Sequence, residues 1–319
     1  MSGNIIQTVS GDVPVESLGK WLPHEHLFTD LRGPLTPGYA QGDPAKVAAV
    51  LRPYLAEAEA RGVTALVECS TLGVGRNIQV LRHLASITPI HIIAATGVYK
   101  EGFIPPDLLD LSAEALADLW IRDLTEGIDG TSSRAGFIKV ALSDTGPTAL
   151  EVRSLQAAAR ASRATGAVIA SHTIGGAAAR REIAILTEAG HDLHRFIWVH
   201  AHTEPDTQIH IEAAKQGVWL EFDAVGAVDW HPQDALLESV LALLEAGYAG
   251  NLLLSHDAGW YNPGEPDGIP KPSGFRGYTA LFDDFIPKLK ARGIGDATIQ
   301  QLIVENPAAA YALTARQSR

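Results

Sequence analysis

Cysteine is nearly missing from this chain: Cys69 is the single example in 319 residues. An internal disulfide is therefore excluded, and such usage suits a reducing compartment, so the cytoplasm is the expected location. Long apolar runs are missing too. None reaches the ~18 residues that a membrane-spanning helix needs, so no membrane partner is expected. Residues 1–16 lack the basic stretch and apolar centre of a secretion signal. Positive charge is the minority sign, with 25 Lys plus Arg against 37 Asp plus Glu and a net charge of −12. That surface repels phosphate backbones, which argues against nucleic acid as a partner. Linkers and fixed-period repeats are also lacking, which points to one domain over residues 1–319.

What the chain does have is alternation. Short apolar runs occur at 22–28, 64–70, 91–97, 136–141, 167–173, 196–202, 218–223 and 251–257. Near-continuous runs of this length suit strands buried on both faces of a parallel sheet. Helical patterns lie between them, at 44–61, 149–165, 176–189, 205–216, 233–246, 277–292 and 296–315. Pro53 is expected to kink or split the first, and Gly166 and Gly190 are expected to close the second and third. Eight strand–helix repeats are the sequence form of a (β/α)8 TIM barrel. An open doubly wound sheet also alternates, but no glycine-rich phosphate fingerprint follows the first strand. A Gly/Pro-rich segment, 259–274, reads as a long functional loop after the eighth strand.

Barrel sites sit at the C-terminal ends of the strands. His24 and His26 end the first strand, and residues at i and i+2 of a strand point to one side. His172, His200 and Asp257 end the fifth, sixth and eighth strands. Four histidines and a carboxylate on one rim are hard to explain by packing, since buried polar groups are costly unless paired or metal-bound. Nitrogen donors with a carboxylate suit Zn, Mn, Fe or Co rather than Mg or Ca. Lys139 lies inside the apolar strand Phe-Ile-Lys139-Val, where it snorkels, pairs with a carboxylate such as Glu68, or is chemically modified.

Leu-Pro-His24-Glu-His26, Phe-Ile-Lys139-Val, Ser-His172-Thr, Val-His200 and Leu-Ser-His-Asp257 together resemble, in order, the metal motifs of the phosphotriesterase family in the amidohydrolase superfamily. The resemblance covers nearly the whole chain. It implies two divalent metal ions, with zinc first and Mn, Co or Fe as alternatives. It places His24, His26 and Asp257 on the more buried metal and His172 and His200 on the more exposed one. It also implies that carbon dioxide converts Lys139 to a carbamate that bridges the metals, as does a hydroxide. The same pattern favours His200 over His202 as ligand and leaves His202 beside the site. His256 is expected to point away from Asp257. His83, His91, His191, His194, His210 and His231 are expected to be surface or structural residues.

Tyr99 resembles the family tyrosine that leans over the metals and polarises the substrate carbonyl; the alternative is a half-buried residue closing the rim. Some members carry a basic residue after the strand-seven aspartate, where this chain has Asp223 followed by Ala224. The expected pocket residues are therefore Tyr99, Ala224, Trp260 and Tyr261, with Trp260 and Tyr261 on the long final loop best placed to shape it. The implied chemistry is hydrolysis of a small molecule, with Asp257 taking up the proton. Lactones come first, phosphotriesters as a side reaction, then amides or N-acyl compounds; a metal-dependent binding protein without turnover is the reading from another class. A homodimer is expected by the same analogy.

Overall fold

The structure, a computed structural model, describes residues 4–272 and 274–314. A hairpin, β1 (Asn4–Thr8) and β2 (Gly11–Pro14), precedes the main sheet. The barrel strands follow: β3 (Lys20–Phe28), β4 (Val63–Glu68), β5 (His91–Gly97), β6 (Phe137–Ala141), β7 (Ile169–His172), β8 (Phe196–Val199), β9 (Trp219–Phe222) and β10 (Leu252–Leu254). Each pairs in parallel with its neighbour in chain order. The architecture is a (β/α)8 barrel.

Closure of the ring is the unusual part. After β10 the chain bends through Ser255–Ala258 and resumes as β11 (Gly259–Tyr261), which pairs in parallel with β3. The Asp257 N–H donates to the His24 carbonyl at 3.1 Å, and the His26 N–H donates to the Ala258 carbonyl at 2.9 Å. Asp257 (φ 48°) and Trp260 (φ 60°) hold left-handed backbone conformations in this bend. Such conformations are sparsely populated for residues other than glycine.

Strand alternation explains the apolar runs. Leu66, Ile92, Ile138, Ile169 and Trp198 face the surrounding helices, while Val67, Ile93, Phe137, Ala170, Ile197 and Leu253 fill the barrel. Both faces are buried, so the strands cannot show a polar side. Full burial of each large apolar side chain contributes ~1.5–3 kcal/mol. Phe137→Ala would cost about 3–5 kcal/mol for that reason and for the cavity left behind. Inward positions turn polar toward the C-terminal end: Phe137 is followed by Lys139, Ala170 by His172, and Trp219 by Glu221. The opposite end is plugged. Tyr311 packs on Trp21 with ring centroids 6.2 Å apart, and its hydroxyl donates to the Pro23 carbonyl.

The helices are α1 (Pro44–Ala60), α2 (Ile78–Ala85), α3 (Ala113–Thr125), α4 (Ala149–Thr165), α5 (Gly176–Glu188), α6 (Thr207–Ala214), α7 (Gln233–Glu245), α8 (Ile286–Ala291), α9 (Asp296–Gln300) and α10 (Asn306–Tyr311). None is long and apolar enough to cross a membrane. Helix α1 runs through Pro53 without splitting. Pro53 and Ala49, whose carbonyl loses its helical donor, both lie on the exposed face, while Val47, Leu51, Leu55 and Ala58 anchor the buried one. Helix α4 does end at Gly166, which takes the left-handed cap conformation; α5 caps on Ala189, with Gly190 one residue further. The pattern at 277–292 starts later, with a π turn at Leu281–Phe285 leading into α8. The expected helix 296–315 ends at Tyr311. Leu313–Thr314 instead form β12, which pairs with β1, and residue 315 lies outside the described residues. Helices α2 and α3 and the β1–β2 hairpin were not expected from the pattern. Asn77 and Ser112 cap those two helices through their side chains and were the available signals.

Candidate metal centre

A cavity of about 170 Å³ opens at the C-terminal end of the barrel. His24, His26, Lys139, His172, His200 and Asp257 all line it, together with Tyr99 and Trp260. Leu31, Val74 and Trp230 form much of its apolar outer wall. Strand β3 delivers His24 and His26 to the same side. Strands β6 and β7 deliver Lys139 and His172. His200 comes one residue after β8, where its left-handed backbone (φ 64°) turns the chain into the next loop. Asp257 comes from the closing bend, three residues beyond β10.

Three imidazoles share one arrangement. His24 directs Nδ1 to Glu221 at 2.8 Å and to Asp223 at 3.1 Å, leaving Nε2 3.4 Å from Asp257 Oδ1. His26 directs Nδ1 to Ser70 Oγ at 2.8 Å and places Nε2 3.0 Å from the same Asp257 oxygen. His200 directs Nδ1 to Asp223 at 2.9 Å, and its Nε2 lies 2.8 Å from His172 Nδ1. In each case an outer oxygen holds the ring and leaves Nε2 for the cavity, the pattern seen behind metal-bound histidines. The oxygen acceptor matters as much as the ring, because holding the proton on Nδ1 leaves the lone pair on Nε2.

Burial and charge oppose one another here. Burial alone would raise the Asp257 carboxyl, but charge from His24 and hydrogen bonds from His24 and His26 hold it well below the usual range. Burial, followed by charge on His200 and Lys139, pushes His172 well below the usual imidazole value. Burial also raises the Tyr99 phenol, whose oxygen lies 3.2 Å from His172 Nδ1, so it stays an O–H donor at neutral pH.

Among the side chains that line the cavity, two buried atoms have no hydrogen-bond partner: Lys139 Nζ and His172 Nε2. Lys139 does not pair with Glu68, which accepts instead from the Leu27 and Ser70 N–H groups. Unpartnered groups of this kind are costly. His24, His26 and Asp257 also form a set whose donor atoms lie within 4.8 Å of one another. The donors present therefore fit divalent cations.

Other expected residues lie elsewhere. Ala224 is fully buried and does not line the cavity. Tyr261 does not line it either: its ring stacks on Phe28 and lies against Gly268, so it anchors the long loop. Its neighbour Trp260 does reach the cavity, edge-on to His26. His202 belongs to a short turn, 3.2 Å from Asp223 and packed on Trp230, outside the cavity lining. His256 points away from Asp257, toward Glu25. Glu25, Glu221 and Trp230 were missed in the sequence. A carboxylate inside the apolar strand Trp-Leu-Glu221-Phe was as strong a signal as Lys139.

A sequence profile of the phosphotriesterase family matches residues 4–311. This chain belongs to the phosphotriesterase family. Members of this family include the phosphotriesterase homology protein of Mycobacterium tuberculosis, 31% identical over 316 residues that cover 95% of this chain and 96% of that protein. The aryldialkylphosphatase of Saccharolobus solfataricus is 31% identical over 251 residues, 77% of this chain and 80% of that one. Among solved structures, a variant of the Deinococcus radiodurans PTE-like lactonase superimposes with a TM-score of 0.86 at 33% identity, covering 96% of this chain and 99% of that one. Phosphotriesterase-family membership makes this protein a metal-dependent hydrolase.

Proposed function

We propose that this protein hydrolyses lactones, using two divalent cations, zinc in the first instance. His24, His26 and Asp257 would hold one cation and His172 and His200 the other. Lys139, after its amine adds carbon dioxide and loses a proton, would bridge them as a carbamate. The observation that carries this reading is the convergence of all six side chains on one cavity, with Lys139 Nζ and His172 Nε2 buried and unpartnered. A bound cation pair supplies a reactive water at neutral pH and polarises the scissile carbonyl.

The chain's own residues do the rest. Asp257, held as a carboxylate, accepts the proton released by the attacking water. Tyr99 keeps its phenolic proton and donates it as a hydrogen bond toward charge that develops on the substrate oxygen. Leu31, Val74, Trp230 and Trp260 exclude water and suit a compact, neutral substrate. Lys139 is the one lysine or arginine among the lining residues, so an anionic head group would find no free ammonium or guanidinium there. A neutral cyclic ester fits these walls better than a charged N-acyl compound. Kinship with a lactonase structure supports the same choice.

The test is to strip the protein with a chelator, reload it separately with Zn, Mn or Co, and assay a γ-lactone, an aryl phosphotriester and an N-acyl amino acid. The expected outcome is no turnover after stripping, recovery on reloading, and the highest kcat/KM for the lactone. An inert lactone beside a rapidly cleaved amide or phosphotriester would overturn the substrate assignment.

A further inference from the structure

We infer that Glu25 is the positioning residue for Asp257. This inference rests on the role of Asp257 proposed above. Alternation along β3 sends His24 and His26 into the cavity, so Glu25 between them faces the other way and is fully buried. A buried carboxylate is retained only with full compensation. Glu25 receives four hydrogen bonds: from Ser255 Oγ at 2.8 Å, the His256 N–H at 3.1 Å, His256 Nδ1 at 2.6 Å and the Ala258 N–H at 3.0 Å. Every donor belongs to the closing bend, and the two backbone amides flank Asp257 on either side.

The tautomer of His256 follows from its other contact. Its Nε2 accepts from the Leu281 N–H at 2.9 Å, so Nδ1 carries the proton given to Glu25. Arg276 adds hydrogen bonds to the His256 and Asp257 carbonyls. Together these contacts impose the left-handed conformation of Asp257, which an aspartate does not favour alone. Glu25 therefore ties the strand that carries the two histidines to the bend that carries the carboxylate. One residue sets the spacing of the donors contributed by distant parts of the chain.

Glu25→Gln is the informative change. Its amide would present N–H toward Ala258 N–H, and the two donors would push the bend out of place. A misplacement of about 1 Å at a reacting group costs about 100-fold in rate. The experiment compares wild type, Glu25→Gln, Asp257→Asn and the double variant. It reads zinc retained per chain after dialysis, near-UV circular dichroism, and kcat and KM on the γ-lactone. Glu25→Gln should keep the native dichroism, retain less zinc, and lose about 100-fold in kcat with KM changed by less than about threefold. The double variant should be no worse than Asp257→Asn, because Glu25 acts through that residue. Wild-type zinc and kcat in Glu25→Gln, beside an inactive Asp257→Asn, would overturn the positioning role alone. So would multiplicative losses in the double variant. Normal turnover in Asp257→Asn would overturn the role of Asp257 itself and the inference with it. If Glu25→Gln does not fold, Ser255→Ala, which removes one of the four donors, reads the same coupling in milder form; wild-type zinc retention and kcat there would overturn the inference.

Discussion

Replacing Lys139 by methionine should change stability in opposite directions with and without metal. Lys139 is 3% exposed, and its Nζ has no hydrogen-bond partner. In the stripped protein an ammonium sits there poorly compensated. Methionine fills similar volume without a charge, and replacing buried ionic groups by apolar ones stabilises by roughly 1–4 kcal/mol. A chain of this size gains about 2 °C in Tm per kcal/mol, so metal-free Lys139→Met should unfold about 2–8 °C above metal-free wild type. Loading reverses the order. Each cation at 100 times its Kd stabilises the native state by about 2.7 kcal/mol, a contribution the variant loses with its bridging group. Calorimetry with and without chelator, paired with plasma-emission metal analysis and lactone turnover, reads all three quantities. A variant that retains both cations and near-normal turnover would refute the bridging role. A metal-free variant that melts below metal-free wild type would refute the desolvation argument.

Tyr99→Phe should lower kcat on the lactone by about 10- to 100-fold while zinc content stays unchanged, since it removes a donor aimed at the substrate oxygen; an unchanged kcat would reduce Tyr99 to a rim residue. Glu182, buried on α5, accepts from the Ser171 and Thr173 hydroxyls on either side of His172, and burial raises its carboxyl from 4.5 to about 8. Folded chains therefore keep a proton that unfolded chains release above pH 4.5. Stability from this group is fully present below that value and declines as pH rises to about 8, by an amount on the order of a few kcal/mol. Urea unfolding of metal-free Glu182→Gln should lack this decline, so its advantage over wild type should grow between about pH 5 and about pH 8. Parallel pH profiles would show that Glu182 is not protonated in the native state.

Much of this arrangement was legible in the chain itself. Apolar runs such as Thr64–Val67 could only be strands covered on both faces, and their repetition implied a barrel. The histidines stood at run ends, where barrels keep their chemistry. Lys139 was conspicuous because a charge interrupts an apolar strand. What escaped the sequence were features without a period. The hairpin Asn4–Pro14 exists because it plugs the barrel end, a tertiary demand. Tyr261 and Trp260 are equivalent as aromatic residues in a Gly/Pro-rich loop; only the left-handed bend at Trp260 sends one ring to the cavity and the other onto Phe28. Ala224 seemed to border the pocket because it follows Asp223, yet the chain dives into the core there. Partnerships across the fold, such as Glu25 with residues 255–258, join positions some 230 apart and leave no local trace.

The barrel shuts at the very peptide that carries Asp257. On the ligand set proposed above, a chain whose closing bend has not yet met its own first barrel strand would hold five of the six side chains on an unsealed ring. Cation capture would then wait for ring closure, so that sealing the barrel and arming it become one event.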